Sequence, residues 1–423
     1  MTTSQLYDVF LKCNGVSTDT RSLSEGNLFF SLKGDNFDGN QYALKAIEKG
    51  ARYAVIDDER INNPNFIKVK NVLSSLQELA KYHRLQLKNT KFIAITGSNG
   101  KTTTKELIKA VLVKKYKTTS TKGNLNNHIG VPLTLLEIKE NSKFAIIEMG
   151  ANHIGEINFL TNLINPDLGY ITNFGKAHLE GFGGIEGVIN GKSELYSWLF
   201  KNNKPILINV DDEIQKKYID SNSITFGLNN NAQFIFSKEI PKSFISLNYK
   251  STLINTRLVG SYNFSNIQAA ISIGLYFKID IKLIKDAIEN YIPKNNRSEI
   301  IEINNKKIIL DAYNANPSSM ELAIDSFLKY SESKIFILGD MFELGKFSKT
   351  EHQMVIDKLD KAQSKVYFVG DEFYKLKKEH NDLFFFKTKK ELYYEMKKNK
   401  IKEKNILIKG SRGMKMEEIL EKI

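Results

Sequence analysis

Residues Ile95 to Glu106 read ITGSNGKTTTKE, a glycine-rich turn followed at once by a lysine and three threonines. The common phosphate-binding loop sets its first glycine five positions before the Gly-Lys pair. Here that position is Ile95, and Gly97 stands three before Gly100. Glycines let backbone N–H groups turn inward on an anion, a new helix offers unpaired N–H groups and its positive dipole end, and Lys101 adds a full charge. Gly97, Ser98, Asn99, Gly100, Lys101, Thr102 and Thr103 therefore form a candidate phosphate cradle. The hydroxyl of Thr102 is placed to ligate the Mg²⁺ that accompanies a nucleotide. A plain strand-to-helix turn rich in Gly and Asn is the alternative, but Gly-Lys-Thr directly after an apolar run argues against it.

Three further residues follow apolar segments or lie in helical ones. Glu148 ends FAIIEMG, where a carboxylate costs free energy unless a cation is near. His178 follows LGYITNFGKA, and Lys192 lies within GVINGKSELYSWL. Singly they read as a capping acid, a surface imidazole and a solvated lysine. Together they suit a metal-nucleotide centre, because open α/β sheets bind ligands at the carboxyl ends of their strands.

The elements that must position these groups alternate between strand and helix. From Asn89, the apolar runs KFIAIT, KFAIIEMG, LGYITNF and KPILINV are separated by helix-like segments, which predicts a mostly parallel sheet with helices on both faces. Before it, NLFFSL, YAVID and FIKVK alternate with the helix-like NQYALKAIEKG, which ends on Gly50 as a C-cap, the pattern of a small α/β domain. A second alternation follows NYIPKNNRSE, with KKIILDAY, KIFILGD, KVYFVG and NILIKG as strands of a Rossmann-like domain. The expected fold class is α/β, with domains at residues 1–88, 89–293 and 294–423. No solenoid repeat or low-complexity linker interrupts them.

The 423 residues are 41% hydrophobic and 26% charged, the balance of a soluble globular protein. No apolar run approaches the roughly 18 residues that span a bilayer, and the N-terminus has no basic segment leading into an apolar core, so a cytoplasmic location is expected. A lone cysteine, Cys13, excludes an internal disulfide and a thiolate metal cluster. The net charge of +13 comes from lysines mixed with acids and aromatics rather than gathered into one arm. That distribution favours no nucleic-acid partner, while a positive field still draws in polyanionic small substrates.

The chain resembles the Mur ligase family, and within it the branch that adds D-alanyl-D-alanine. TGSNGKTTTKE matches that family's contracted nucleotide loop. In the same order come STDTRSL, LFFSLKGDNFDGNQYALKAIEKGA, GNLNNHIGVPLTLL, IIEMGANHIGEI, ITNFGKAHLEGFG, GKSE, GSYNFSNIQAA, DAYNANPSSM, LGDMFELG and KGSRGMKME, spanning all three segments. The resemblance implies an ATP-dependent amide ligase of peptidoglycan precursor synthesis, hence of cell-wall growth and division. It would join D-alanyl-D-alanine to UDP-N-acetylmuramoyl-tripeptide through an acyl phosphate, as a monomer.

The resemblance also distributes roles. Gly97 to Thr103 would wrap the ATP phosphates, with Lys101 on the β and γ groups. Thr102 and Glu148 would hold one Mg²⁺, and His178 a second together with Lys192 as its N-carbamate. An ammonium beside two divalent ions would be repelled, whereas CO₂ addition to the neutral amine gives an anion whose oxygens suit a hard cation. Asn263 and Asn266 would face the adenine side, Arg297 the phosphates and Asp311 the ribose. Ser17, Thr18, Asp19, Thr20 and Arg21, with Ser31, Lys33, Gly34, Asp38 and Gly39, would bind the UDP-sugar. Asn124, Asn126 and Asn127 would line the channel for its peptide, and Tyr313, Asn314 and Asn316 would receive the dipeptide. The family's Asp-Gly-His reads Asp38-Gly39-Asn40 here. His128 falls at a variable place and is expected to be non-catalytic, while surface or capping roles are expected for His153 and His352. The alternatives are a diamino acid-adding or folate-type ligase of the same fold, a catalytically dead binding module, and a P-loop ATPase acting on nucleic acid. The diamino acid enzyme would need an Asp-Asn-Pro-Arg string, which is absent.

Overall fold

The computed structural model describes residues 1–239, 244–294, 296–377 and 382–423. Its central element is a nine-stranded sheet. From one edge run Thr118–Ser120, Phe144–Glu148, Lys91–Thr96, Leu168–Ile171, Ile206–Asn209, Ile224–Gly227 and Phe234–Lys238, all parallel. Ser246–Tyr249 and Thr252–Asn255 then add an antiparallel tail. Lys91–Thr96 is the point where successive crossovers change direction, the position at which an open α/β sheet leaves a crevice.

Alternation along that strand shows why it sits at the centre. Phe92 and Ala94 point into one apolar cluster and Ile93 and Ile95 into another, and all four are fully buried. Helices Lys101–Leu112 and Asn263–Tyr276 cover the second face, while Gly130–Glu137, Glu156–Ile164 and Ile185–Lys201 cover the first. Helices on both faces are what a near-continuous apolar strand requires.

On the N-terminal side four parallel strands pair in the order Val16–Ser17, Leu28–Phe30, Tyr53–Ile56 and Phe66–Lys68. The helix expected to end at Gly50 is a 3₁₀ turn, Gly39–Tyr42, followed by Ala43–Glu48; Gly50 then adopts φ +97°. The C-terminal sheet has six strands, with Lys306–Asp311, Asn405–Lys409, Lys334–Gly339, Lys365–Val369 and Leu383–Phe386 parallel and Glu299–Ile303 antiparallel at the edge. One buried cluster runs from Leu6 and Phe30 through Leu135 and Leu195 to Phe336 and Leu338, so the three sheets share packing. Among the described residues no helix is long and apolar enough to cross a membrane.

Candidate active site

The loop after Lys91–Thr96 is shaped by glycines that no other residue could replace without displacement. Gly97 has φ +136°, and a Cβ there would lie 2.0 Å from Thr172 Oγ1; Gly100 has φ +78°, and its Cβ would lie 2.6 Å from Asn266 Oδ1. The neighbouring strand end braces the turn. Thr172 Oγ1 donates to Asn99 O at 2.6 Å, Asn173 Oδ1 accepts from Asn99 N at 3.1 Å, and Ser98 Oγ donates to Gly175 O at 2.7 Å. Lys101 Nζ donates to the carbonyls of Gly97 (2.7 Å) and Ser98 (3.1 Å). Burial pushes its pKa down to about 8, against the pull of Glu148, and Arg297 adds to the depression.

Glu148 is only 2% exposed, and its carboxylate has the partners that such a position demands. Thr102 Oγ1 donates to Oε2 and Asn126 Nδ2 to Oε1, each at 2.9 Å. The compensating cation is Lys105, fully buried, whose Nζ lies 3.8 Å from Glu148 and donates to Thr121 O at 2.6 Å. Asn126, expected along the peptide channel, lines the cleft but spends its amide on Glu148. No group of three or more His, Cys, Asp or Glu able to hold a metal occurs among the described residues. The hydroxyl and carboxylate of Thr102 and Glu148 are hard oxygen donors already in contact, which fits Mg²⁺ shared between one or two protein ligands and nucleotide phosphates.

Lys192 is 1% exposed, donates to Ala151 O at 3.1 Å, and sits 5.0 Å above the ring of Phe182. It forms no ion pair among the described residues; burial, reinforced by Lys101, holds its pKa well below the usual lysine range. The amine is thus enclosed, against the solvated lysine that its helical setting suggests when it is read alone. His178 takes the left-handed conformation (φ +52°), and its Nδ1 meets the carboxylate of Glu343 from the C-terminal sheet. That contact holds the Glu343 carboxyl below the ordinary range.

A single cleft of about 870 Å³ gathers most of these groups. Ser98 to Thr103, Glu148, His178, Asn124, Asn126, Asn127, Asn263 and Asn266 line it from the central sheet, and Arg297, Asp311, Tyr313, Asn314 and Asn316 from the C-terminal one. Lys192 lies behind Ala151, which is part of the wall. Asn266 Nδ2 donates to Asn263 Oδ1 and its Oδ1 accepts from Thr104, in the helix that follows the loop. The Arg297 guanidinium stacks 3.6 Å from the Tyr313 ring. Asp311 accepts from Ser298 N at 3.1 Å and pairs with buried Lys409. Lys409 and Lys105 were not singled out in the sequence. The signal for Lys409 is the one that marked Glu148, a charge closing an apolar strand, here in NILIKG.

The N-terminal candidates do not line this cleft. Lys33, Gly34 and Asp38 border a separate hollow of about 430 Å³ beside Phe37 and Tyr42, whose rings stack at 5.2 Å. Ser17 Oγ donates to Asp19 O, and hydrogen bonds from Arg21 hold the Asp19 carboxyl down to about 2. Thr18 and Thr20 complete that turn, and Gly39 packs its Cα against the backbone of Ser31 and Leu32. Ser31 is fully buried, with a hydroxyl that has no partner among the described residues. Asn40 turns inward and donates to Asp38 and Asp57 at 2.9 and 2.8 Å. His352, expected at the surface or in a cap, is instead completely buried: Nε2 accepts from Met341 N at 3.0 Å while Nδ1–H donates to Ser348 O. His153 is exposed, its N–H donating to Glu156, and His128 lines the cleft with its carbonyl taken by Gln77.

Three family models match the chain: the Mur ligase family, catalytic domain over residues 12–97, the Mur ligase middle domain over 95–274, and the Mur ligase, glutamate ligase domain over 296–412. The UDP-N-acetylmuramoyl-tripeptide–D-alanyl-D-alanine ligase of Bacillus subtilis is 38% identical, the match covering 96% of this chain and 92% of the relative. Its counterpart from Escherichia coli is 32% identical over 99% and 97%. The crystal structure of MurF from Acinetobacter baumannii superposes with a TM-score of 0.88 at 28% identity, over 99% of this chain and 98% of that one.

Proposed function

The chain belongs to the Mur ligase family, and we propose that it is the ATP-dependent ligase that joins D-alanyl-D-alanine to UDP-N-acetylmuramoyl-tripeptide. The reading is carried by the cleft in which the phosphate loop, Glu148 and His178 meet Arg297, Asp311 and Tyr313 from another sheet. Residues 1–88 would hold the UDP-sugar, 89–293 the nucleotide and 294–423 the dipeptide. The enzyme would act in the cytoplasm as a monomer.

A carboxylate and an ammonium left together form only a salt, so the acid must be activated. The terminal carboxylate of the tripeptide attacks the γ-phosphorus of ATP, ADP leaves, and an acyl phosphate results. The free amine of D-alanyl-D-alanine then attacks the acyl carbon, and phosphate departs as the amide forms. The first step brings anion to anion. Lys101 and the N–H groups of Gly100 to Thr103 would neutralise and align the phosphates, those of Ser98 and Asn99 being taken by Asn173, and Arg297 would supply a second cation from the opposite wall. Asp311, held by Ser298 and Lys409, would receive ribose hydroxyls, and Tyr313 and Asn314 would offer an aromatic face and an amide to the dipeptide, whereas the amide of Asn316, expected to do the same, is spent on Ser319 and Asn99. Thr102 and Glu148 would hold one Mg²⁺, and His178 with Lys192 as its carbamate a second, supplying charge neutralisation of the transferred group. The buried amine of Lys192, with no ion pair among the described residues and a pKa held well below the usual lysine range by burial, supports the carbamate, since only an unprotonated amine adds CO₂. The family relation, the absence of an Asp-Asn-Pro-Arg string and the names of the two relatives at 38% and 32% identity favour dipeptide over diamino acid addition.

Phosphate release by the purified protein with ATP, Mg²⁺ and the UDP-tripeptide, with D-alanyl-D-alanine present or omitted, tests the reading. Sustained release and a pentapeptide product that both require the dipeptide are expected. Turnover indifferent to the dipeptide would overturn it.

A further inference from the structure

The segment LGDMFELG matches the family motif but has no part in the chemistry above. It forms a stiff arm. Asp340 accepts from the N–H groups of Glu372 and Phe373 at 3.0 Å, His352 Nε2 accepts from Met341 N at 3.0 Å, and Ser411 Oγ accepts from Phe342 N at 2.8 Å. What the arm presents beyond its own sheet is Glu343. The Glu343 carbonyl accepts from Glu180 N at 3.2 Å, and its carboxylate meets His178 Nδ1, which has no hydrogen-bond partner in its own domain among the described residues. Both residues adopt left-handed backbone, φ +60° for Glu343 and +52° for His178, although neither is glycine. Such conformations persist where surrounding structure enforces them and gather at functional sites. Lys176, two residues before His178, is tied to the same domain through Glu351 at 2.7 Å, and its N–H donates to Ser318 Oγ at 2.8 Å.

We propose that Glu343 is a positioning residue: docking of the C-terminal domain sets its carboxylate on His178 Nδ1–H, fixing the ring so that Nε2 is free to face a divalent cation in the cleft. The inference rests on the family reading of His178 as a metal ligand. It makes the metal site complete only when the domain that carries the dipeptide is seated. Carboxylate partners of this kind orient imidazole ligands, and their loss typically lowers metal affinity about 10–100-fold.

The test uses the full chain with ADP and Mn²⁺ followed by electron paramagnetic resonance, alongside ¹⁵N NMR of ring-labelled histidine. Glu343→Ala removes the carboxylate. Glu343→Gly does so with a residue that suits the left-handed backbone, and Glu343→Gln keeps an acceptor. Mn²⁺ affinity is expected to fall about tenfold or more in the Ala and Gly variants, with loss of the Nδ1–H bias at His178 and with kcat reduced more than KM for ATP. The Gln variant should stay near wild type in all three. Wild-type affinity and an unchanged ring tautomer in both Ala and Gly variants would overturn the proposal. Wild-type protein that binds Mn²⁺ with this dependence yet makes no pentapeptide would instead sink the ligase reading alone.

Discussion

The phosphate loop and the turn Ser17–Arg21 are both short, polar segments at strand ends, yet they are held in opposite ways. The loop is fixed by partners distant in sequence: Thr172, Asn173, Gly175 and Asn266 each contact it. The turn is held mainly by itself, with Asp19 bound to Arg21 and Ser17 to Asp19; from outside it Lys49 Nζ donates to Thr20 O at 2.9 Å, and the Arg21 side chain is 88% exposed. The first region is built before any ligand arrives and suits charge that exists only in passing. The second can exchange its internal ion pair for a ligand at little cost, because exposed pairs contribute little to stability.

The comparison breaks first at Lys192, whose amine lies buried behind the wall of the cleft. Lys192→Ala should lower ligation by roughly a thousandfold or more, the scale of removing a preorganised charge, and bicarbonate should raise wild-type turnover but not that of the variant. Full activity in steady-state assays of the variant would remove the carbamate from the mechanism. Gly100→Ala comes next. The added Cβ meets Asn266, so kcat/KM for ATP should fall about a hundredfold, equivalent to about 2.7 kcal/mol, while UDP-tripeptide binding by calorimetry stays unchanged.

A smaller effect follows from Lys101, whose pKa is pushed from 10.5 to about 8 in the folded chain. Between those values the unfolded chain holds a proton that the folded chain has released. This group therefore makes the ligand-free protein more stable as pH rises through the window, and destabilises it fully below about 8. Nucleotide binding needs the ammonium, so ADP affinity by calorimetry should decline above pH ~8 and the decline should vanish in Lys101→Met. Smallest is Arg21→Ala: the melting temperature should not move, kcat should hold, and KM for the UDP-substrate should rise about tenfold. A drop in melting temperature would mean that the turn is structural after all.

What the sequence makes legible follows the same division. The strand-to-helix turn of the loop reads directly, because its glycines, lysine and threonines stand adjacent in the chain. The demand of Glu148 for a cation is also legible, from the cost of a carboxylate closing FAIIE, though not that Lys105 would answer it one helical turn after Lys101. Lys409 obeys the same rule and could have been found. Glu343 and Asn173 could not, since their contacts arise where segments remote in sequence come together, and the burial of His352 depends on how its helix packs beside Met341. The antiparallel tail Ser246–Tyr249 and Thr252–Asn255 went unforeseen because strands of four residues with one half-exposed face carry too few apolar positions to register against their surroundings.

Asn316 divides its amide between two tasks. Its oxygen caps the helix Pro317–Leu328 through Ser319 N at 2.9 Å, and its nitrogen donates to Asn99 Oδ1 at 2.8 Å, joining the C-terminal helix to the phosphate loop. A hydrogen bond between neutral amides contributes about 0.5–1.5 kcal/mol net, so this latch slows separation of the two walls by roughly tenfold at most. It acts beside the contacts of Lys176 with Glu351 and Ser318 and of Glu343 with His178 and Glu180, so the hold between the two walls is divided among several bonds that can yield one at a time.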